Sequence, residues 1–241
     1  MESSPSPYSL TILVPVYNEI QALETGLRTM SEFAVRHGFD HEILVIESGS
    51  TDGTGDKCDE LARVLPNLRV IHEGARNGFG SAVQLGYREA RKDLIWLITV
   101  DLFFPLDAIF QALPLLASVD YVTSFRSEDN RGFGRKAQSF VYNRLIAGVL
   151  GLKVRHVNAG FKVLKREIVK DLTLTSRGWF VDAELLCRLQ EAGRTFAEIP
   201  VPLIDRTQGK SSVGPLAFVA VLKEMRAFMR SRKQARRTAG G

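Results

Sequence analysis

The sequence predicts an α/β fold, in which a mixed but mainly parallel sheet carries helices on both faces. Short runs of aliphatic and β-branched residues alternate with segments of helical periodicity through the first half of the chain. Such alternation is typical of parallel sheets, because each parallel crossover needs a helix or a long connection. The chain has 241 residues, 45% of them apolar and 24% charged, which suits one large domain with a sizeable core.

The elements of the first half follow from these patterns in order. The first strand is an unbroken apolar run with β-branched residues, as expected of a strand covered on both faces. The first helix stops at Gly38 and the second stops before Pro66. The predicted strands are Ser9–Val16, Glu42–Ile46, Leu68–His72 and Leu94–Val100, and the predicted helices are Ile20–His37, Thr54–Leu65, Ser81–Ala90 and one opened by Pro105.

The alternation breaks after a fifth strand at Tyr121–Phe125. A charged, glycine-containing loop follows, and the remaining elements are predicted as a helix at Lys136–Leu150, a strand near Phe161–Leu164, a helix near Val181–Ala192, a strand at Thr195–Ile199 and a last helix from Pro215. We therefore expect a disordered N-terminus over residues 1–8, one domain over 9–213, and an amphipathic helix with a basic tail over 214–241.

Composition excludes several classes of protein. The two cysteines have no ligand spacing, so a disulfide framework or zinc site is not expected; both fall in helical patterns as core thiols, which fits a reducing compartment. The polar N-terminus is not a signal peptide, and no apolar run approaches the ~20 residues that a membrane span needs. The sequence thus predicts a cytoplasmic protein.

Informative residues follow the predicted strands, at the edge where ligands bind in sheets of this kind. The four segments are Val14–Glu19, Ile46–Thr54, Arg76–Ala82 and Thr99–Leu102. The glycines Gly78 and Gly80 permit a close backbone approach, although ordinary turn chemistry explains them equally well. They are not a dinucleotide-binding fingerprint, because Val83 stands at the third glycine position.

This ordered set resembles the family-2 glycosyltransferases of the GT-A fold, and particularly the polyprenyl-phosphate sugar synthases, over roughly residues 9–210. The resemblance implies inverting transfer of a sugar from a nucleoside-diphosphate donor to a polyprenyl phosphate. It assigns nucleotide binding to Pro15, Tyr17 and Glu19, and contact with the base or ribose to Glu47. A carboxylate can accept hydrogen bonds from ring N–H or ribose hydroxyl groups; the alternative for Glu47 is a solvated loop carboxylate.

The family's metal-binding motif is eroded. The family usually has Asp-x-Asp where this chain has Thr99-Val100-Asp101, so Asp101 is the one metal ligand left there. Thr99 and Asp101 would face the same way on a strand. Phe103 stands where the polyprenyl-phosphate branch often has glutamine, and Ser48 replaces an acid. We expect Mg²⁺ or Mn²⁺ to bind weakly, because the site has lost hard oxygen ligands.

Cationic residues in the second half offer other partners for phosphate. Arginine pairs bidentately with phosphate and lysine acts as a point charge. By resemblance, the residues that bind the donor diphosphate and the acceptor phosphate are Arg126, Arg135, Ser139, Arg206 and Lys210. The alternative is that they are ordinary surface charges.

The resemblance places the acceptor beside Trp179–Glu184. A sugar hydroxyl acceptor would need a general base, and Asp182 is the candidate; a lipid phosphate is already an anion and needs none. Asp182 and Glu184 are equally explained as charges favoured at a helix N-terminus. The predicted catalytic residues are Asp101, Asp182 and Arg206.

Two alternatives to a polyprenyl-phosphate transferase stay open. One is transfer to a sugar hydroxyl, and the other is a catalytically impaired GT-A module that binds a nucleotide sugar or a protein partner. The losses at Ser48, Thr99 and Phe103 favour the impaired module, whereas Arg206 and Lys210 oppose it.

The C-terminal segment predicts contact with a membrane surface. Seven basic residues and one acid lie between Lys223 and the C-terminus. Helical spacing places Phe218, Leu222, Met225 and Met229 on one face, which suits a helix lying at an anionic membrane surface on the cytoplasmic side. The alternative is a core-packing helix followed by a disordered basic tail that binds anions, including nucleic acid, without specificity.

Overall fold

The computed structural model describes residues 8–102, 104–127, 143–202 and 215–238. Within them, seven strands form one sheet of order β3-β2-β1-β4-β6-β5-β7. The strands are β1 (Leu10–Val16), β2 (His41–Glu47), β3 (Leu68–His72), β4 (Leu94–Leu97), β5 (Tyr121–Arg126), β6 (Lys162–Lys165) and β7 (Phe196–Val201). The α-helices are α1 (Ile20–Arg36), α2 (Thr54–Val64), α3 (Phe79–Glu89), α4 (Ile109–Ala112), α5 (residues 143–150), α6 (Val181–Glu191) and α7 (Pro215–Thr238).

The sheet is mixed, as predicted. Strands β1 to β4 pair in parallel, and β5 pairs in parallel with β7. Strand β6 runs antiparallel to both β4 and β5, which makes β5 parallel to β4. The carboxyl ends of β1 to β5 and β7 therefore reach one edge of the sheet, and β6 begins there.

Helices cover both faces of the sheet. Alternate residues of β1 separate two apolar clusters: Ile12 and Val14 pack with α1 and α2, while Leu13 packs with α3, α5, α6 and α7. Both cysteines are buried, as expected of core thiols, and burial raises the pKa of the Cys58 thiol to about 12. A sheet buried on both sides explains why its strands read as continuous apolar runs.

The fourth strand is shorter than predicted. It ends at Leu97, and the chain then turns so that the N–H of Leu102 donates to the carbonyl of Thr99 over 3.2 Å. Leu102 adopts a positive φ of 45°, which no strand residue has. The apolar run past Leu97 stays buried, so burial without strand pairing misled the prediction.

Helix α7 packs against the core through a face that includes Met225 of the predicted membrane-facing set, whereas Met229 of that set is exposed. Val221 and Phe228 are buried, and Met225 packs partly against the same cluster as α3 and α6. The core-packing alternative is therefore correct for Met225, and this face is closed to lipid. None of the helices in the described ranges is long and apolar enough to cross a membrane.

Candidate functional site

The strand-end segments meet along one edge of the sheet. Because β1, β2, β4 and β5 end at the same edge, they bring Pro15, Glu47 and Arg126 to it, and Asp101 follows β4 there. Lys162 begins β6 at this edge, opposite Leu97. The sequence prediction that Pro15, Glu47, Asp101 and Arg126 share an edge is consistent with this topology.

The residues after β1 are held by the loop after β2. Asn18, at a φ of 53°, receives a hydrogen bond from the N–H of Thr51 to its Oδ1, and its own N–H donates to Ser50 Oγ. The guanidinium of Arg76 lies 4.5 Å from the centre of the Tyr17 ring. This cation–π contact holds a positive charge beside the predicted nucleotide-binding residues.

Glu47 is a buried carboxylate, so the prediction's alternative of a solvated loop residue is wrong. Its Oε1 accepts from the N–H of Ser50 at 2.6 Å, and its Oε2 lies 3.0 Å from Nδ1 of His72. Burial alone would raise the pKa of Glu47, but the Ser50 N–H and the His72 ring hold it below its usual value. Glu47 therefore stays ionised at the edge of the sheet.

His72 links Glu47 to a second acid. Its Nε2 lies 3.0 Å from Asp59 Oδ1, so the ring bridges two carboxylates. Asp59 first, and then Glu47, raise the pKa of His72 above its usual value. A protonated His72 donates to both acids.

A carboxylate stands beside Ser48, where the resemblance expects an acid. Ser48 Oγ donates to Oε2 of Glu73 at 2.6 Å, and Ser81 Oγ donates to Oε1 of the same residue at 2.6 Å. Glu73 directly follows β3. A carboxylate from a neighbouring strand therefore lies beside Ser48, where the family usually has an acid.

Thr99 and Asp101 meet, but not by strand alternation. Both lie in the turn after β4, where Thr99 Oγ1 donates to Asp101 Oδ1 over 2.5 Å. Across the described ranges, no cluster of three or more His, Cys, Asp or Glu side chains is arranged to hold a metal. Within the described residues, Asp101 supplies the one carboxylate of this turn, so a divalent cation bound there would find few hard oxygen ligands from the protein.

The glycine segment Gly78–Gly80 packs against the predicted acceptor segment. The N–H of Gly80 donates to the carbonyl of Arg177 at 2.8 Å, and a Cβ on Gly80 would lie 2.4 Å from the Ser176 carbonyl oxygen. Gly80 therefore serves close backbone approach rather than turn chemistry. Phe79 stacks on Trp179, whose ring is 37% exposed, with 4.7 Å between the ring centres.

One buried carboxylate anchors the chain that leads into the acceptor segment. Glu184 is fully buried and accepts the N–H and hydroxyl groups of Thr175 and Ser176 as well as Arg188. Burial alone would raise its pKa, but the Ser176 donors hold the pKa below the usual value. Glu184 is thus a structural anchor, as well as a first-turn residue of α6.

Asp182 lies in the first turn of α6, and its carboxylate faces a buried lysine. Lys162 Nζ lies 3.0 Å from Asp182 Oδ1 and also donates to the carbonyl of Ala159. The side chains are 1% and 12% exposed. A general base must be able to release its ion partner, so this contact weighs against the predicted role of Asp182.

Arg126 ends β5 at the site edge, where its N–H donates to Nδ1 of His156 at 3.3 Å. The other cationic predictions, Arg135, Ser139, Arg206 and Lys210, lie outside the described residues, as does Phe103.

Sequence reasoning missed three residues of this edge: His72, Glu73 and Lys162. Only Lys162 carries a local signal, since a lysine within the apolar run Phe161–Leu164 predicts a buried charge with a partner. The other two depend on contacts between strand ends that are distant in sequence.

Comparison with known proteins agrees with this architecture. The glycosyl transferase family 2 model matches residues 11–173. An undecaprenyl-phosphate mannosyltransferase of Micrococcus luteus is 24% identical over 241 residues, which cover 95% of this chain and 98% of the relative. Glycosyltransferase AglD of Haloferax volcanii is 29% identical over 204 residues, or 80% of this chain, but the chain spans only 32% of that longer relative.

Solved structures share the fold. Glucosyl-3-phosphoglycerate synthase from Mycobacterium tuberculosis, in complex with Mg²⁺ and uridine diphosphate, superimposes with a TM-score of 0.65 at 19% identity, covering 89% of this chain and 77% of that one. The predicted GT-A fold is confirmed. With a family model that spans more than half of the sequence, the chain belongs to glycosyl transferase family 2.

Proposed function

We propose that this glycosyltransferase moves a sugar, with inversion, from a nucleoside-diphosphate donor to a polyprenyl phosphate. The observation that carries the proposal is the Lys162–Asp182 pair at the site edge. Asp182 would serve as the general base for a hydroxyl acceptor, but its carboxylate is paired with Lys162. An acceptor that is already an anion needs no general base and therefore fits the site better. The Micrococcus relative, named for undecaprenyl phosphate, matches over nearly its whole length and supports this acceptor class.

The donor would lie along the ends of β1, β2 and β4. Glu47 would contact the base or ribose, with Pro15, Tyr17 and Glu19 beside it, and Arg76 over Tyr17 would add positive charge near the diphosphate. To accept a bond from the nucleotide, Glu47 must share an oxygen that now faces Ser50 or His72. A carboxylate has about four lone-pair sites, so sharing is chemically sound.

In the proposed reaction, a phosphate oxygen of the acceptor attacks the anomeric carbon of the donor sugar. The new carbon–oxygen bond forms as the bond to the donor diphosphate breaks, and the nucleoside diphosphate leaves with the electron pair. No proton has to move. Catalysis would consist of positioning and of stabilising the leaving diphosphate by Arg126, Arg135, Arg206 and Lys210, with Ser139 as a further donor.

A metal has a minor place in this proposal. The Mycobacterium structure contains Mg²⁺ with uridine diphosphate, but here the described donor set is one carboxylate, Asp101. We therefore assign neutralisation of the diphosphate mainly to the cationic side chains.

In the direct test, the purified chain is incubated with undecaprenyl phosphate and with UDP-glucose or GDP-mannose that is radiolabelled in the sugar. The measurement is the radiolabel that is extracted into the organic phase. Undecaprenol, which has a hydroxyl in place of the phosphate, is the matched control. We expect transfer to the phosphate alone, and NMR of the product should show an inverted anomeric centre. Transfer to undecaprenol but not to its phosphate would refute the proposal.

A second test addresses donor binding. Arg206→Ala should weaken binding of a nucleoside diphosphate by about tenfold or more, because a charge-assisted phosphate contact is lost. Binding of the bare nucleoside should barely change. Equal losses for both ligands would remove Arg206 from the diphosphate site.

A catalytically impaired GT-A module is the second candidate. Thr99 and Ser48 favour it, since each replaces a family acid. Glu73 weakens the case at Ser48, because its carboxylate lies beside that hydroxyl. Donor binding without transfer to any acceptor tested would support the impaired module.

A further inference from the structure

A polar cavity of about 480 Å³ lies between α3 and the segment that precedes α6. Its helix side presents Ser81, Gln84 and Arg88, whose spacing places them along one helix face, with Asn77 just before the helix. Thr175 and Arg177 line the opposite wall. Of the residues assigned above to the donor diphosphate or the acceptor phosphate, Arg126 lies in the described ranges, and it does not line this cavity.

The two walls are locked together. Gln84 Nε2 donates to the carbonyl of Ser176 at 3.0 Å, and the N–H of Gly80 donates to the carbonyl of Arg177 at 2.8 Å. Glu224 of α7 accepts the N–H of Arg177 at 3.1 Å, which fixes that wall from the far side. The cavity is therefore formed before any ligand arrives, which lowers the cost of binding.

Two arginines of the cavity lining make no ion pair with any described residue. Within the described residues, the guanidinium groups of Arg88 and Arg177 have no acidic partner, although both residues line the same cavity. Three carboxylates accept hydrogen bonds from lining residues: Glu73 from Ser81, Glu184 from Thr175 and Glu224 from the N–H of Arg177. Glu184 is also paired with Arg188. Two like charges facing one cavity repel each other, and a bound anion relieves this.

We propose that this cavity binds a phosphate-bearing anion at a site separate from the donor diphosphate. Arg88 and Arg177 would each pair with phosphate oxygens, and the Asn77 amide adds a neutral donor. The volume admits a phosphate together with a small organic group. The phosphate belongs either to a soluble phosphomonoester or to a lipid headgroup.

The test measures binding of inorganic phosphate and glycerol 3-phosphate to the full chain by calorimetry. The variant is Arg88→Ala/Arg177→Ala, and the control is Arg36→Ala/Arg63→Ala, which removes the same charge from α1 and α2 on the other face of the sheet. Each lost arginine contact should weaken binding by about tenfold, while the control binds like the parent chain. All four arginines are exposed, so both variants should fold.

A second arm identifies the source of the phosphate. Vesicles of phosphatidylcholine with phosphatidic acid are compared with glycerol 3-phosphate, and the readout is the difference between the two double variants. The site is supported if Arg88→Ala/Arg177→Ala loses affinity for one of the probes and the control variant does not. The probe concerned then shows whether the phosphate comes from a lipid headgroup or from a soluble phosphomonoester. The proposal is overturned if the parent chain binds neither probe, or if both double variants lose affinity equally.

These results do not depend on sugar transfer. If no sugar is transferred but phosphate binding depends on the two arginines, the proposed function is rejected and this site is kept. If sugar is transferred but phosphate binding does not depend on them, the function is kept and this site is rejected.

Discussion

At the scale of single residues, Thr99 and Asp101 decide how the site treats a metal. Their side chains are joined by a 2.5 Å hydrogen bond. The turn therefore offers one carboxylate and one hydroxyl where the family usually has two carboxylates. Transfer, or donor binding, should therefore depend only weakly on divalent metal, because a neutral hydroxyl is a poorer ligand for Mg²⁺ or Mn²⁺. The measurement compares activity with and without EDTA. Complete inactivation by EDTA with full rescue by Mn²⁺ would contradict this expectation.

Thr99→Asp tests the same geometry from the opposite side. An aspartate there would lie next to Asp101, and the repulsion between the two carboxylates should be relieved by a cation. We expect Mn²⁺ affinity, measured by calorimetry with the nucleoside diphosphate present, to rise by about tenfold. Thr29→Asp, on the exposed side of α1, is the control and should leave Mn²⁺ binding unchanged. No gain with Thr99→Asp would mean that this turn does not face the diphosphate.

His72 should make stability depend on pH. Its pKa is raised above the usual 6.5 by Asp59 and Glu47, so its contribution is fully present below about pH 6.5 and is lost as pH rises through the raised value. His72→Gln should therefore destabilise the protein more at about pH 6 than at about pH 9. The difference should stay below about 1 kcal/mol, because the ring is 40% exposed and solvent screens the pairs.

Urea unfolding of the parent chain and His72→Gln at the two pH values measures this difference. Asp59→Asn, which removes the first partner of the ring, should shrink it. An equal loss of stability at both pH values would mean that His72 acts through packing alone.

At the scale of secondary-structure elements, the contact between α7 and the acceptor segment links the C-terminal helix to the site. Glu224 accepts three backbone N–H groups, from Arg177 at 3.1 Å, Gly178 at 2.8 Å and Phe180 at 3.3 Å. Glu224→Ala strands these donors near the start of α6, and we expect a loss of about 1–3 kcal/mol in the free energy of unfolding.

Glu191→Ala is the matched control, because Glu191 also holds α7, but through a partly exposed pair with Arg232. That pair should contribute at most about 1 kcal/mol. Denaturant unfolding of both variants gives the comparison. If the two losses are equal, the bonds from Glu224 to the acceptor segment do not stabilise the fold beyond an ordinary surface pair.

The elements also show which patterns the sequence encodes locally. Strands β1 and β2 were predictable because nearly continuous apolar runs mark strands buried on both faces. The end of β4 was not, because Val100 stays buried in a turn that makes no sheet pairs. The face that α7 buries depends on what lies beneath it: Val221 and Phe228 fit the cluster beside α6, a fact that helical periodicity alone does not contain.

The site was predictable where its residues belong to contiguous sequence motifs. Motifs such as Val14–Glu19 and Ile46–Thr54 are contiguous, and parallel pairing brings their ends together. The bridges from His72 and Glu73 join β3 to residues about 25 positions earlier, and the Lys162–Asp182 pair joins β6 to α6. Such contacts follow from the tertiary fold, so a single sequence does not reveal them.

At the scale of the whole molecule, the net charge and its distribution predict contact with a membrane surface better than an apolar helix face does. The chain carries a formal charge of +5, and α7 packs Val221 and Phe228 into the core while Val219 and Met229 are exposed. Lys223, Arg226 and Arg230 are exposed on the outward side, with Lys233 also exposed. This basic face suits an anionic surface, where each cation contributes about 1 kcal/mol of attraction.

We therefore expect the chain to bind anionic vesicles electrostatically, as a peripheral protein, which is where the proposed lipid acceptor would lie. Co-sedimentation with phosphatidylglycerol vesicles at low salt should exceed that with phosphatidylcholine alone and should fall as salt screens the charges. Arg226→Glu/Arg230→Glu should abolish most of the binding, whereas Arg36→Glu/Arg63→Glu changes net charge equally on the far face and should retain most of it. Equal losses in the two double variants would show that net charge, and not the basic face of α7, governs attachment. Binding that persists in high salt would instead require apolar insertion, which the buried Val221 and Phe228 oppose.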